Sequence, residues 1–342
     1  MLGKKAFLAK VMSRTQISQV LVALRALLKN EIVILAYHRV LDAWQEHDFE
    51  FDVELISASV DEFKWQVDYV RNRFSPISFR DLIAYLDGNA GLPKRPILIT
   101  FDDGFDDNYY HAFPVLKSAG VPATVFLSTG YIGGPQTFWY DWLCYLCHHV
   151  AATRTSFWFA DREFALGADT DVRRDNIAKV FVHAKRLPDE TLRLALRELE
   201  TELGISYPVE GFVESHPLNW DQVREMSKHG IEFGSHSVSH PVLTNLTGTR
   251  LQEELVDSKC KLEREVTQPV EVIAYPVGEA FAFNDAVIRS AVAAGYKLGV
   301  TYIPGPNNLS NLGRFNLKRL HVERYMSRAD FQAMLAMPEL FA

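Results

Sequence analysis

Two short stretches gather side chains capable of chemistry. Thr100-Phe101-Asp102-Asp103-Gly104 closes an apolar run, Ile97–Phe101, that reads as a buried strand. Adjacent carboxylates at such a strand end repel one another and lose hydration, so they are costly unless a cation offsets them. The carboxyl ends of strands are also where barrel-type α/β proteins place their active sites. A solvated acidic turn is the competing reading, because Asp106 and Asp107 follow closely. The second stretch, Ser235-His236-Ser237-Val238-Ser239-His240, comes directly after Ile231–Gly234. Histidines four apart share one face of a helical turn and can grip one ion together. One carboxylate and two imidazoles would leave coordination positions open for water and a substrate, as catalytic metals require.

Elements that would position these residues alternate along the chain. Ile32–Tyr37 is a continuous apolar run suited to a buried parallel strand. Val60–Phe74 has helical spacing of Phe63, Val67 and Val70, with Ser59 or Asp61 placed to cap it. A helix over about 79–86 leads to the strand ending at Asp102; a helix over about 112–119 leads to strand 123–128. After about residue 217 the same rhythm returns, with strands at 231–234, 270–275, 297–301 and 317–322 and helices between them. This alternation predicts an α/β fold with a parallel sheet. Between about 141 and 216 it is interrupted by charged helical sequence, expected to be an α-helical insertion.

The chain has 342 residues, 48% hydrophobic and 23% charged, a balance that suits a folded domain rather than a disordered segment. Its formal net charge of -7 gives no basis for nucleic-acid binding. Cys144, Cys147 and Cys260 are too few for a disulfide framework. The C-x-x-C of Cys144 and Cys147 has no second pair to complete a zinc site, and its apolar surroundings predict two buried thiols. Residues 1–30 form a basic amphipathic segment with no clear signal-peptide pattern. Two fates fit such a segment: packing on the domain, or peripheral contact with a membrane. The expected location is the cytoplasm or the cytoplasmic face of the membrane.

Four stretches, in order, carry a family resemblance: ILAYHRV at 34–40, the region 99–133 containing TFDDG, the region 218–246 containing HSVSH, and VIAYPVGE at 272–279. Together they resemble the polysaccharide deacetylases, the NodB-homology enzymes of carbohydrate esterase family four. The resemblance implies a distorted (β/α) barrel over 31–342 and removal of N-acetyl groups from amino sugars of a glycan. It also implies a divalent metal, zinc by ligand type, with cobalt or nickel served by the same donors. Asp102 would then be the general base, and Asp103, His236 and His240 the metal ligands. A backbone N–H at Val277 would face the oxyanion, with Tyr275 and Pro276 shaping the wall. Many family members carry an Arg just before Pro-Tyr in this third motif, where it steadies the base; this chain has Ala274-Tyr275-Pro276 instead, which leaves control of Asp102 open. His321 is the counterpart of the family's general acid, with an ordinary strand histidine as the alternative. His38 is either a structural hydrogen-bonding residue or part of the same pocket. Phe138-Trp139-Tyr140-Asp141-Trp142 is expected on a loop above the barrel mouth, where Trp139 could stack on a sugar or serve the core. Two further readings stay open: hydrolysis of another acyl linkage, such as an O-acetyl ester or a non-sugar amide, and a metal-retaining carbohydrate-binding protein without activity.

Overall fold

A computed structural model describes residues 2–15, 17–42, 49–134, 138–150, 154–167, 169–205 and 215–341. Seven parallel strands close into a barrel in chain order: β1 (Glu31–Tyr37), β2 (Pro96–Phe101), β3 (Ala123–Leu127), β4 (Ile231–Ser235), β5 (Val272–Ala274), β6 (Leu298–Pro304) and β7 (Leu317–His321). β1 and β2 pair from Val33↔Ile97 to Tyr37↔Phe101, and β7 closes the ring against β1 at Leu35↔Leu320. β4 and β5 meet only at Ser235↔Ile273, and the β6–β7 register slips between Val300 and Pro304. These two weak seams make the barrel irregular.

Strand residues alternate between the two faces of the wall. Val33, Leu35, Ile97, Ile99, Val125 and Ile273 pack outward with the surrounding helices. Ile32, Ile34, Leu98, Phe126, Val272 and Val300 point inward, where they meet Phe79, Leu82 and Ile83 of helix Phe79–Leu86. That helix covers the amino-terminal end of the barrel. Its first N–H groups are satisfied from the wall, since Glu232 Oε2 accepts from the Phe79 N–H at 2.9 Å. Gly234 lets β4 lie against the Phe126 ring: an added Cβ there would sit 2.4 Å from two ring carbons. The lower half of the barrel is therefore apolar and filled. The inward phase then delivers Asp102, His236, Arg319 and Tyr302 to the open, carboxyl end.

The segment between β3 and β4 is a satellite unit with its own core. It contains helices Trp139–His148, Thr170–Ala184 and Asp189–Leu203, packed through Leu143, Cys147, Val180 and Leu199. It is not wholly helical as expected. Ser156–Phe159 and Arg162–Ala165 form a hairpin, because Phe157 and Phe159 alternate with exposed Trp158 and Ala160 turns the chain at φ 54°. The aromatic run is also not a loop: Trp139 begins a helix, with Phe138, Tyr140 and Trp142 buried. Cys144 and Cys147 are free and buried, as their apolar surroundings predict.

The amino-terminal segment forms two helices, Leu2–Arg14 and Ile17–Leu28. Ala9, Met12 and Val22 dock them on Ala333 and Ala336 of helix Arg328–Ala336. Among the described residues, no helix is long and apolar enough to cross a membrane.

Candidate active site

Asp102 and Asp103 follow β2 at its carboxyl end, where Asp103 adopts φ 72° and both side chains line one cavity. Asp102 is buried inside the barrel mouth and receives two hydrogen bonds from one guanidinium: Arg319 Nη1 to Oδ1 and Nη2 to Oδ2, both 2.7 Å. Arg319 is itself fully buried on β7. Its Nε donates to the Thr301 carbonyl at 2.7 Å, and Nη1 also reaches Thr100 Oγ1 at 3.3 Å. Burial alone would raise the Asp102 pKa; the Arg319 charge, with its fork of hydrogen bonds, outweighs it and holds the carboxyl well below the usual range. The third-motif Arg absent from Ala274-Tyr275-Pro276 is thus replaced in space by an Arg from a different strand. The sequence carried one signal for it. Leu317, Arg319 and His321 share the inward phase of β7, and a cation facing a barrel interior needs a buried anion.

Asp103, His236 and His240 converge, with one donor atom from each lying within 4.8 Å of the others. The Nε2 atoms of His236 and His240 stand 3.6 and 3.3 Å from Asp103 Oδ1. Residues 236–240 do not form the helical turn suggested by their spacing. They are an irregular loop in which Ser237 and His240 take φ 68° and 55°. Buried Glu254, on helix Gly248–Val266, shapes the loop by accepting from the Val238 and Ser239 N–H groups at 2.7 and 2.8 Å. Gly130 backs it: its N–H donates to the Val238 carbonyl at 2.7 Å, and an added Cβ would lie 2.6 Å from that oxygen. Four of the seven described non-glycine residues at positive φ, Asp103, Ser237, His240 and Val277, belong to this end of the barrel. Such conformations cost about 1–3 kcal/mol each and persist where the surroundings enforce them.

These residues suit a divalent cation. The imidazoles of His236 and His240 are both kept neutral, chiefly by burial, and Nδ1 of His236 is engaged by the Ala274 carbonyl at 2.8 Å. That contact leaves Nε2 as the free donor facing Asp103. Asp103 Oδ1 is buried without a hydrogen-bond partner. Burial, followed by the Asp102 charge, pushes the Asp103 pKa well up, an arrangement that a cation would reverse.

The cavity above this centre is lined by Asp102, Asp103, His236, His240 and His38, with Tyr275 and Val277 just beyond β5 and Tyr302 of β6. Trp139, Tyr140, Phe181 and Lys185 of the satellite unit form another wall. Trp139 is partly exposed there and its Nε1 donates to the His240 carbonyl at 3.4 Å. Val277 carries φ 66° at the turn after Tyr275-Pro276. His38 lies in the cavity with Nε2 4.0 Å from Asp102 Oδ2, and burial pulls its pKa down to about 4. His321 is not among the lining residues. Its ring stacks on Tyr302, with centroids 3.5 Å apart, and Tyr302 presents its own ring to the cavity. The position two residues beyond Arg319 places His321 inward but at the strand end behind Tyr302.

Residues 89–141 and 196–299 match the family model described as polysaccharide deacetylase. A Bacillus subtilis protein named as a polysaccharide deacetylase, YxkH, is 25% identical over 272 residues; the match covers 80% of this chain and 66% of that protein, just under two thirds of its length. A poly-β-1,6-N-acetyl-D-glucosamine N-deacetylase of Staphylococcus epidermidis is 26% identical over 241 residues, 67% of this chain and 80% of its own. Among solved structures, Streptococcus pyogenes deacetylase PplD, in complex with acetate, superposes with a TM-score of 0.59 at 22% identity, over 90% of this chain and 99% of that one. A Bacillus cereus polysaccharide deacetylase, BC0361, gives 0.55 at 19% identity, over 90% of this chain and 69% of that one.

Proposed function

We propose, from the premise that this chain belongs to the polysaccharide deacetylase family, that it hydrolyses the N-acetyl group of amino sugars in a glycan and releases acetate. The observation that carries this reading is the pairing of an ionised, Arg319-held Asp102 with the Asp103–His236–His240 donor set in one cavity. A base and a Lewis-acid site side by side are what hydrolysis of an unreactive amide demands.

Asp103, His236 and His240 would hold the cation, zinc by ligand type, with cobalt or nickel accepted by the same donors. When bound, it polarises the acetamide carbonyl and lowers the pKa of the attacking water. Asp102 accepts the proton that water loses as its oxygen bonds to the carbonyl carbon. The Val277 N–H, on the wall formed by Tyr275 and Pro276, faces the oxygen on which negative charge collects. Collapse breaks the carbon–nitrogen bond, and the nitrogen must gain a proton as it leaves. His38, neutral and facing the cavity at 4.0 Å from Asp102, is placed to relay to that nitrogen the proton Asp102 took from water, whereas Tyr302 covers His321. Acetate and a free amine are the products. Trp139 and Phe181 supply an apolar wall for the C–H face of a sugar.

The test is acetate release from β-linked N-acetylglucosamine oligomers by zinc-loaded, chelated and Asp103→Asn protein, with an O-acetylated glycan in parallel. Release from the N-acetyl substrate that needs zinc and Asp103 is the predicted result. Turnover of the O-acetyl ester alone would replace the amide reading with an esterase, and no turnover at full zinc occupancy would favour a binding protein.

A further inference from the structure

The amino-terminal helices are dressed the wrong way round for a packing element. Helix Ile17–Leu28 docks on the body through Ser18 and Val22, both almost fully buried. Its strongly apolar stripe of Ile17, Val20, Leu24, Leu27 and Leu28 points away from the protein. Leu27 and Leu28 are 76% and 81% exposed, and Phe7 on the preceding helix is 70% exposed. A soluble surface helix places its main apolar stripe on the core; here a narrower face of Ser18, Leu21 and Val22 does so.

Charge decides what covers this stripe. Residues 1–30 contain Lys4, Lys5, Lys10, Arg14, Arg25 and Lys29 and no Asp or Glu. The remaining residues carry 30 Lys and Arg against 43 Asp and Glu, so an otherwise acidic protein concentrates positive charge beside this exposed apolar stripe. Arg25 and Lys29 are engaged by Glu31 and Glu339, whereas Lys5, Lys10 and Arg14 are exposed. A second copy of this chain would bring the same cations against each other. An anionic bilayer surface matches both features: apolar side chains enter the acyl boundary while lysine and arginine meet the headgroups.

We propose that the helix pair is an in-plane membrane anchor that binds the protein peripherally to anionic lipid. The docked helix lies beside Glu31, at the amino-terminal end of β1, so the cleft at the opposite end of the barrel stays open to water. The proposal is independent of the deacetylase reading.

Flotation of the full chain with extruded vesicles tests it, using phosphatidylcholine alone and an equimolar mixture of phosphatidylcholine and phosphatidylglycerol. Wild type is expected to float with the mixed vesicles and to detach as salt rises. Leu24→Ser/Leu27→Ser/Leu28→Ser should weaken partitioning by roughly a hundredfold or more. Lys5→Glu/Lys10→Glu/Arg14→Glu should weaken it by roughly a hundredfold, chiefly on the anionic vesicles. Both variants alter exposed positions, and their melting temperatures and acetate release from soluble oligomers should match wild type. Wild type that stays with neither vesicle overturns the proposal, as does binding unchanged by the Leu substitutions. A wild-type dimer in solution that the Leu substitutions dissociate would assign the stripe to a second copy and also overturn it.

Discussion

Removing Arg319 isolates the interaction on which the catalytic base depends. In the Arg319→Gln variant, Asp102 keeps its burial and loses both 2.7 Å bonds together with the neutralising charge. Breaking a buried, hydrogen-bonded ion pair from one side costs about 3–5 kcal/mol, because the surviving charge has no compensation. Arg319→Gln also loses the bond to the Thr301 carbonyl, so the single substitution cannot assign the whole cost to Asp102. The double-mutant cycle with Asp102→Asn does so, since the lost Thr301 contact appears in both Arg319 variants and cancels. Urea unfolding of the chelated protein at neutral pH should show Arg319→Gln destabilised by about 3–5 kcal/mol. Adding Asp102→Asn should then recover on the order of 2–3 kcal/mol of that loss. The kcat for acetate release by zinc-loaded Arg319→Gln should fall by about a hundredfold or more, the usual worth of a positioned base. Additive free energies in the cycle, with kcat retained, would refute the assignment of Arg319 as the residue that holds Asp102.

The remaining predictions probe other parts of the structure. Zinc at about a hundred times its dissociation constant should stabilise wild type by about 2.7 kcal/mol, and calorimetry should show this shift gone in His236→Ala and Asp103→Asn. Gly234→Ala should cost about 1–3 kcal/mol in urea unfolding, because its Cβ would meet the Phe126 ring at 2.4 Å. Asp141 is buried, with its pKa raised to about 7 mainly by burial, and Ser215 as its hydrogen-bond donor. A carboxyl that holds its proton longer folded than unfolded lowers stability as pH climbs from about 4 to 7, by up to about 4 kcal/mol. Asp141→Asn should therefore flatten that decline, and parallel stability profiles for the two proteins between pH 5 and 8 would contradict the placement.

The barrel was legible because its strands are short apolar runs of β-branched and aromatic residues, and because several of its helices carry a capping side chain or a glycine stop. Ser59, for example, caps helix Val60–Arg73 by accepting from the Glu62 N–H. Asp102, Asp103, His236 and His240 were legible as chemistry because they stand at strand ends, and the structure brings all four into one cavity. The spacing of the two histidines was read with the wrong geometry. Their convergence comes from left-handed backbone at Ser237 and His240 and from Glu254, sixteen and fifteen residues past Val238 and Ser239, none of which a helical period encodes. Arg319 was missed because its partner lies 217 residues away and only barrel closure brings β7 beside β1 and β2. His321 was favoured by motif order, but a stacked Tyr302 removes it from the cavity, a packing detail outside the reach of local pattern. The hairpin at 156–165 was lost in a charged stretch where two strands of four residues leave little periodicity to read.

The most direct test of the account measures zinc content and turnover on the same samples of wild type and Asp102→Asn, with N-acetylglucosamine oligomers as substrate. The account predicts equal zinc occupancy in both proteins, equimolar acetate and free amine from wild type, and loss of turnover by two or more orders of magnitude in Asp102→Asn. Undiminished acetate release from a zinc-replete Asp102→Asn protein would contradict the central claim that Asp102, held by Arg319, is the base of this site.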